Sequence, residues 1–288
     1  MKNIVEIYWI IDEVVKRVDK DFRKNNRGRK NILSKSELIT IAIIGHFEAI
    51  PTDKLLYERI KSAFDKEFKK MPSYEQFTRG LRSVLKYFDF MLTVLCNVNL
   101  QRSMGNNLFV IDSTALPTNG YDKYDCPKWA SDVKTGKNIF GYYHGFKLHI
   151  IINRNLEVVS YAITPANIHD VKALSIDYFT DGIRGVVVGD KGYVMSEKDL
   201  CKLAQKGINF IFKQRENMDP YLNEYYRKEL SQRQIIEGVF SYLKNRLNAL
   251  HKFARSVESF LVHVKAALAA YILRDLSTQS EKFRFSAN

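Results

Sequence analysis

Along the first hundred residues the apolar positions recur with a helical period. In MPSYEQFTRGLRSVLKYFDFMLTVL, Phe77, Leu81, Val84, Leu85 and Phe88 share one stripe, with Ser73 as N-cap and Gln76 three residues on. NILSKSELITIAII offers Ser34 or Ser36 as a cap, with Glu37 three residues after Ser34. The pattern changes at Asn107. LFVID (108–112) is a short apolar run of the kind a buried strand requires. GFKLHIII alternates, placing Phe146, Leu148, Ile150 and Ile152 on one face. Residues 153–155 read as a hairpin turn and LEVVSYAI as its second strand. HDVKALSIDYF reads as a helix capped by Asn167 or Asp170, and GVVVGD as another buried strand. SEKDLCKLAQKG is a helix closed by Gly207, and INFIFK a strand. Helical patterns run from about Tyr225 to Leu250 and from Val257 to Leu276.

After residue 107 the order is therefore β, loop, β, β, α, β, α, β, α, α. An antiparallel hairpin followed by strand–helix alternation predicts an α/β fold: an RNase H-like mixed sheet flanked by helices, preceded by an N-terminal helical domain. The expected divisions are 1–104, 105–277 and a tail at 278–288.

Charge adds a partner. The chain carries 45 Lys and Arg against 32 Asp and Glu, a formal +13. The excess is blocked. Lys16–Lys35 holds nine Lys/Arg against Asp19 and Asp21, and Lys202–Arg255 holds eleven against five acids. Two basic blocks suit a phosphate track, so nucleic acid is the expected partner. Arg27, Arg29 and Lys30 lie in a basic arm, and Lys128 and Trp129 in a Lys- and Tyr-rich loop (118–142) suited to gripping DNA. No stretch has the length and apolarity of a membrane span or the pattern of a signal peptide. The cysteines, Cys96, Cys126 and Cys201, form no Cys-x-x-Cys pair, so a reducing, cytoplasmic, nucleoid-associated location is expected.

Two predicted strands end on an acid, LFVID on Asp112 and VVVGD on Asp190. Each alone reads equally as the start of a turn. If the strands are adjacent, the two carboxylates repel unless a cation joins them, and Mg²⁺ suits such oxygen donors. Glu237 follows on a helix where Arg233 and Lys244 share its face. An ordinary Arg–Glu pair on a solvated face is the other reading. His169 and Asp170 read as loop and cap residues, and Tyr193 as packing for the turn.

IDSTALP (111–117), GFKLHIIIN (145–153), ITPANIHD (163–170), GDKGY (189–193) and the helix with Arg233, Glu237 and Lys244 occur in order. In this the chain resembles bacterial insertion-sequence transposases with a DDE core, most nearly the group named after insertion sequence 982. The resemblance covers roughly residues 105–275. It implies a catalytic and metal-binding triad of Asp112, Asp190 and Glu237. It also implies two Mg²⁺ ions per active site, with Mn²⁺ as a substitute, and DNA contacts from Lys191, Arg233 and Lys244. The implied activity is strand cleavage at the element's terminal inverted repeats and strand transfer into target DNA, by a homodimer on DNA. Leu230 stands where related transposases carry Tyr on this helix. A non-catalytic DNA-binding protein and a nuclease of the same fold are the alternative readings.

Overall fold

The computed structural model describes residues 4–21, 31–63, 71–103, 105, 107–118, 133–213, 224–250 and 254–274. By contact the chain divides into two units, Val94–Tyr242 and the combination of Met1–Thr93 with Leu243–Asn288.

The first of these is built on a six-stranded sheet. Its strands are β1 (Leu108–Pro117), β2 (Thr135–Asn138), β3 (Gly141–Asn153), β4 (Val158–Pro165), β5 (Gly185–Gly189) and β6 (Ile208–Phe212). The order is β2-β3-β1-β5-β6, with β4 also paired to β3. β1, β3 and β4 pair antiparallel, whereas β1, β5 and β6 pair parallel. This is the mixed, RNase H-like arrangement expected from the sequence.

Period-2 alternation sorts β1 into two faces. Phe109 and Ile111 enter a core shared with Ile151, Val159, Phe179, Val187, Tyr193, Leu203 and Phe210. Val110 and Asp112 face the opposite way, towards the helical segment Ile235–Ser241, which packs on β1 and buries Ile236, Val239 and Phe240.

Three sequence expectations change in detail. β1 does not stop at Asp112 but continues to Pro117, because its antiparallel pairing with β3 persists to Pro117↔Gly145. The apolar run ends at Ile111, and the backbone ladder does not. HDVKALSIDYF forms two short helices, Asp170–Ala173 and Asp177–Thr180, separated at Ile176, whose extended backbone cannot continue a helix. The first has His169 at its N-cap position, with no side-chain cap bond, in place of Asn167 or Asp170. The pattern from Tyr225 breaks into Arg227–Ser231, a 3₁₀ turn (Gln232–Gln234), Ile235–Ser241 and a π-helical turn (Tyr242–Arg246). A π turn shifts the helical phase. The shared face computed for an unbroken helix therefore does not carry through to Lys244.

The other unit is helical: Ile4–Asp21, Lys35–Phe47, Asp53–Ala63, Tyr74–Ser83, the start of Leu85–Arg102, and Val257–Leu273. Ser34 and Ser73 cap their helices in full capping boxes with Glu37 and Gln76. Lys35–Phe47 is buried from Leu38 to His46 and packs against Val257–Leu273, buried from Val262 to Leu273. Helices apolar on all sides need neighbours on all sides. That requirement groups Val257–Leu273 with the N-terminal helices, whereas the sequence reading ran 105–277 as one span.

Candidate active site

The parallel register of β1 and β5 ends at Val110↔Val188. Two residues further on, in phase on the same face, come Asp112 and Asp190, on strands about 5 Å apart. Each carboxylate is held by a backbone N–H immediately beyond it. Ser113 N donates to Asp112 Oδ1 at 2.7 Å, and Gly192 N donates to Asp190 Oδ1 at 2.6 Å. The second bond explains the glycine in Gly-Asp-Lys-Gly, since a Cβ at residue 192 would lie 2.8 Å from Asp190 Oδ1.

The Asp112 side chain is only 17% exposed. Burial pushes its carboxyl up to about 7, and the negative charges of Asp190 and Asp170 add to the rise. The Ser113 N–H and the Arg233 guanidinium oppose it. One nitrogen, Arg233 Nη2, lies 3.7 Å from Asp112 Oδ2 and 3.4 Å from Glu237 Oε1. Glu237, 62% exposed, is thus linked to Asp112 through Arg233. Among the described residues, no three acid, histidine or cysteine side chains are grouped closely enough to hold a metal ion.

Asp170 is the acid that sequence reasoning placed in a cap. Its Oδ1 accepts bonds from Ser113 Oγ at 2.9 Å and Lys147 Nζ at 3.1 Å, and Lys147 also donates to Ile168 O at 2.8 Å. The available signal was Lys147 itself, a charge on the otherwise apolar strand GFKLHIII. Lys191 follows Asp190 on an exposed turn. Lys244 falls in the helical unit, where burial lowers its pKa. Arg27, Arg29, Lys30, Lys128 and Trp129 lie outside the described residues.

Paired acids at the carboxyl ends of adjacent parallel strands, with cationic side chains beside them, are an arrangement suited to chemistry on phosphate esters. The family described as "Transposase DDE domain" matches residues 102–257, just over half of the chain. The chain belongs to that family, and its enzymatic class is phosphoryl transfer. No curated protein matches. Two solved structures are similar over most of their length. "Mos1 transposase paired-end complex with left transposon end" is 13% identical, with TM-score 0.24, covering 92% of this chain and 85% of that one. "Crystal structure of a pre-cleavage Mos1 transpososome" is 12% identical, with TM-score 0.23, covering 96% and 98%. No helix among the described residues is long and apolar enough to cross a membrane.

Proposed function

We propose that this chain is an insertion-sequence transposase, of the group resembling insertion sequence 982. It cleaves DNA strands at the element's terminal inverted repeats and transfers the freed 3′ ends to target DNA. The observation that carries this reading is the Asp112–Asp190 pair, two like charges brought together at adjacent strand ends, one of them buried. Such a pair is unfavourable by itself and becomes favourable around a hard cation. The donors are all carboxylate oxygens, which fits Mg²⁺, with Mn²⁺ as a substitute and two ions per active site. Asp112 and Asp190 would hold the metal, with Glu237 as third member.

A divalent ion held there would supply the charge that activates the attacking oxygen and stabilises the leaving one. The remaining work falls to the protein. The backbone bonds from Ser113 and Gly192 hold the two aspartates in fixed orientations. Arg233, already placed between Asp112 and Glu237, neutralises a phosphate oxygen in the same position. Lys191 contributes a further phosphate contact beside the pair, with Lys244, Lys128, Trp129, Arg27, Arg29 and Lys30 contacting the DNA elsewhere along its length. The helices of residues 1–104 bind the element's ends or form the homodimer that pairs them.

The test uses linear DNA carrying the sequences that flank the gene, incubated with the protein and Mg²⁺ or Mn²⁺. Wild type is expected to nick at the element's boundaries and yield joined products. Asp112→Asn and Asp190→Asn should each lower this at least about a hundredfold, since loss of even an outer-shell partner costs 10–100-fold. Cutting without preference for the boundaries, and without joining, would point to a nuclease. DNA binding with no cleavage in wild type would point to a non-catalytic binder.

A further inference from the structure

Tyr193 has no part in the chemistry above, and its surroundings are unusual. It is fully buried in the sheet core, with its ring 5.9 Å from that of Phe210. Its hydroxyl is buried and has no hydrogen-bond partner among the described residues. A buried donor left unpaired is destabilising. Burial and the charges of Asp170, Asp112 and Asp190, in that order, push the phenol well above its ordinary range. Those three acids are the charges that act on the unpaired O–H.

Asp170 is tied to the residue beside each member of the pair. Its Oδ1 accepts from Ser113, whose own N–H holds Asp112. Its Oδ2 faces the turn of Asp190, 3.4 Å from where a Cβ on Gly192 would stand. Lys147 supplies the counter-charge from β3. Tyr193 is on that same turn, its N–H donating to Asp190 O at 3.1 Å.

We propose that Asp170 and Tyr193 form a positioning layer beneath the acidic pair, and that the Tyr193 hydroxyl completes it by donating to Asp170 when a divalent cation occupies the pair. The inference rests on the cation reading given above. Without a cation, the like charges of Asp112 and Asp190 repel each other across the paired strands β1 and β5. A cation removes that repulsion and settles the Asp190–Tyr193 turn against Asp170, which is already bonded to Ser113 beside Asp112. The hydroxyl then gains its partner, and both carboxylates are fixed from below. Neither residue touches substrate.

The experiment compares full-length wild type, Tyr193→Phe and Asp170→Asn by Mn²⁺ titration without DNA, and by thermal melting without metal. Phenylalanine keeps the ring and removes only the unpaired hydroxyl. Without metal, Tyr193→Phe is expected to melt level with wild type or about 1–2 °C higher. Its Mn²⁺ affinity should fall about tenfold. Asp170→Asn should weaken Mn²⁺ similarly, and the double variant should be no weaker than the worse single, because the two act through one bond. Tyr193→Phe alone decides the matter if Asp170→Asn does not fold. Wild-type Mn²⁺ affinity in Tyr193→Phe, or a clear loss of metal-free stability, overturns the positioning layer and leaves the cation reading standing. If wild type binds no Mn²⁺, both fall.

Discussion

The helical core and the strand-end acids treat buried charge in opposite ways. Among the described residues of the helical unit, the ionisable groups buried in the core are matched or kept neutral. Lys265, 9% exposed, pairs with Asp89, and His263 Nε2 lies 2.9 Å from Asp53 Oδ1. His46 Nδ1 bonds Leu247 O at 2.7 Å, and burial next to His263 drives its pKa down to about 3, so it stays neutral. At the strand ends Asp112, largely buried, lies close to two further carboxylates, with the Ser113 N–H and one long contact to Arg233 in return. A fold that matches charge carefully in one region has left like charges together in another. Such a departure is the pattern expected of a site organised for binding, and not for stability.

The comparison breaks most readily by deleting one member of each kind. Asp89→Ala leaves the Lys265 ammonium buried without its carboxylate. The expected loss is about 2–3 kcal/mol, below the range for a fully buried pair because Asp89 is 52% exposed. Lys265→Met in the same chain should restore most of it. Asp112→Asn should change metal-free stability in the other direction, a gain of about 1–2 kcal/mol from removing a buried like charge. Denaturant melts without divalent ions measure both. If Asp112→Asn destabilises the protein as Asp89→Ala does, the carboxylate is satisfied after all, and the contrast disappears.

Acid sharpens the helical side. The neutral form of His46 is favoured in the folded state, so its pKa is depressed there from 6.5 to about 3. Below 6.5 the unfolded chain takes a proton that the folded chain refuses, and stability falls as pH falls through that window. Desolvation and His263 lower the value, while the Leu247 carbonyl and Asp53 oppose them. Between pH 7 and pH 5 the expected loss is about 2 kcal/mol from this group. His46→Gln should flatten the slope, as read from melting temperatures across that range. An unchanged slope would mean that the burial of His46 does not control it.

Local and chemical signals differed in how far the sequence exposed them. The Ser34 and Ser73 caps were legible because a capping box spans four residues. Five of the six strands were legible because an apolar run or strict alternation survives any tertiary context, whereas β2, a polar TGKN, lies in the stretch read as a loop. Asp112 and Asp190 were found by their position after such runs. The full length of β1 was hidden, because Asp112, Ser113 and Thr114 are polar and only pairing with β3 keeps them extended. Asp170 was hidden for a similar reason, its partners Ser113 and Lys147 lying 57 and 23 residues away. The sequence showed that Val257–Leu273 was apolar on all sides, which says that it is enclosed and not which helices enclose it.

The smallest effect concerns Arg233, the contact that most resembles the pairing of the helical unit. Its distances of 3.7 Å and 3.4 Å are long for a strong ion pair, and its Nε is buried without a hydrogen-bond partner among the described residues. A contact of this kind contributes about 0–1 kcal/mol. Arg233→Gln should therefore leave the melting temperature nearly unchanged, unlike Asp89→Ala. What it removes is a positive charge beside two carboxylates proposed to hold a cation. Mn²⁺ affinity without DNA should then rise, by about two- to fivefold for a repulsion of up to about 1 kcal/mol. DNA cleavage should fall in the same variant, since the guanidinium is assigned to the phosphate. Mn²⁺ titration and the cleavage assay are read side by side. Opposite movement of the two identifies Arg233 as a ligand for substrate held in reserve by the acids. If Mn²⁺ affinity falls with cleavage, Arg233 is holding the carboxylates in place, and the site is matched for structure in the same way as the helical core.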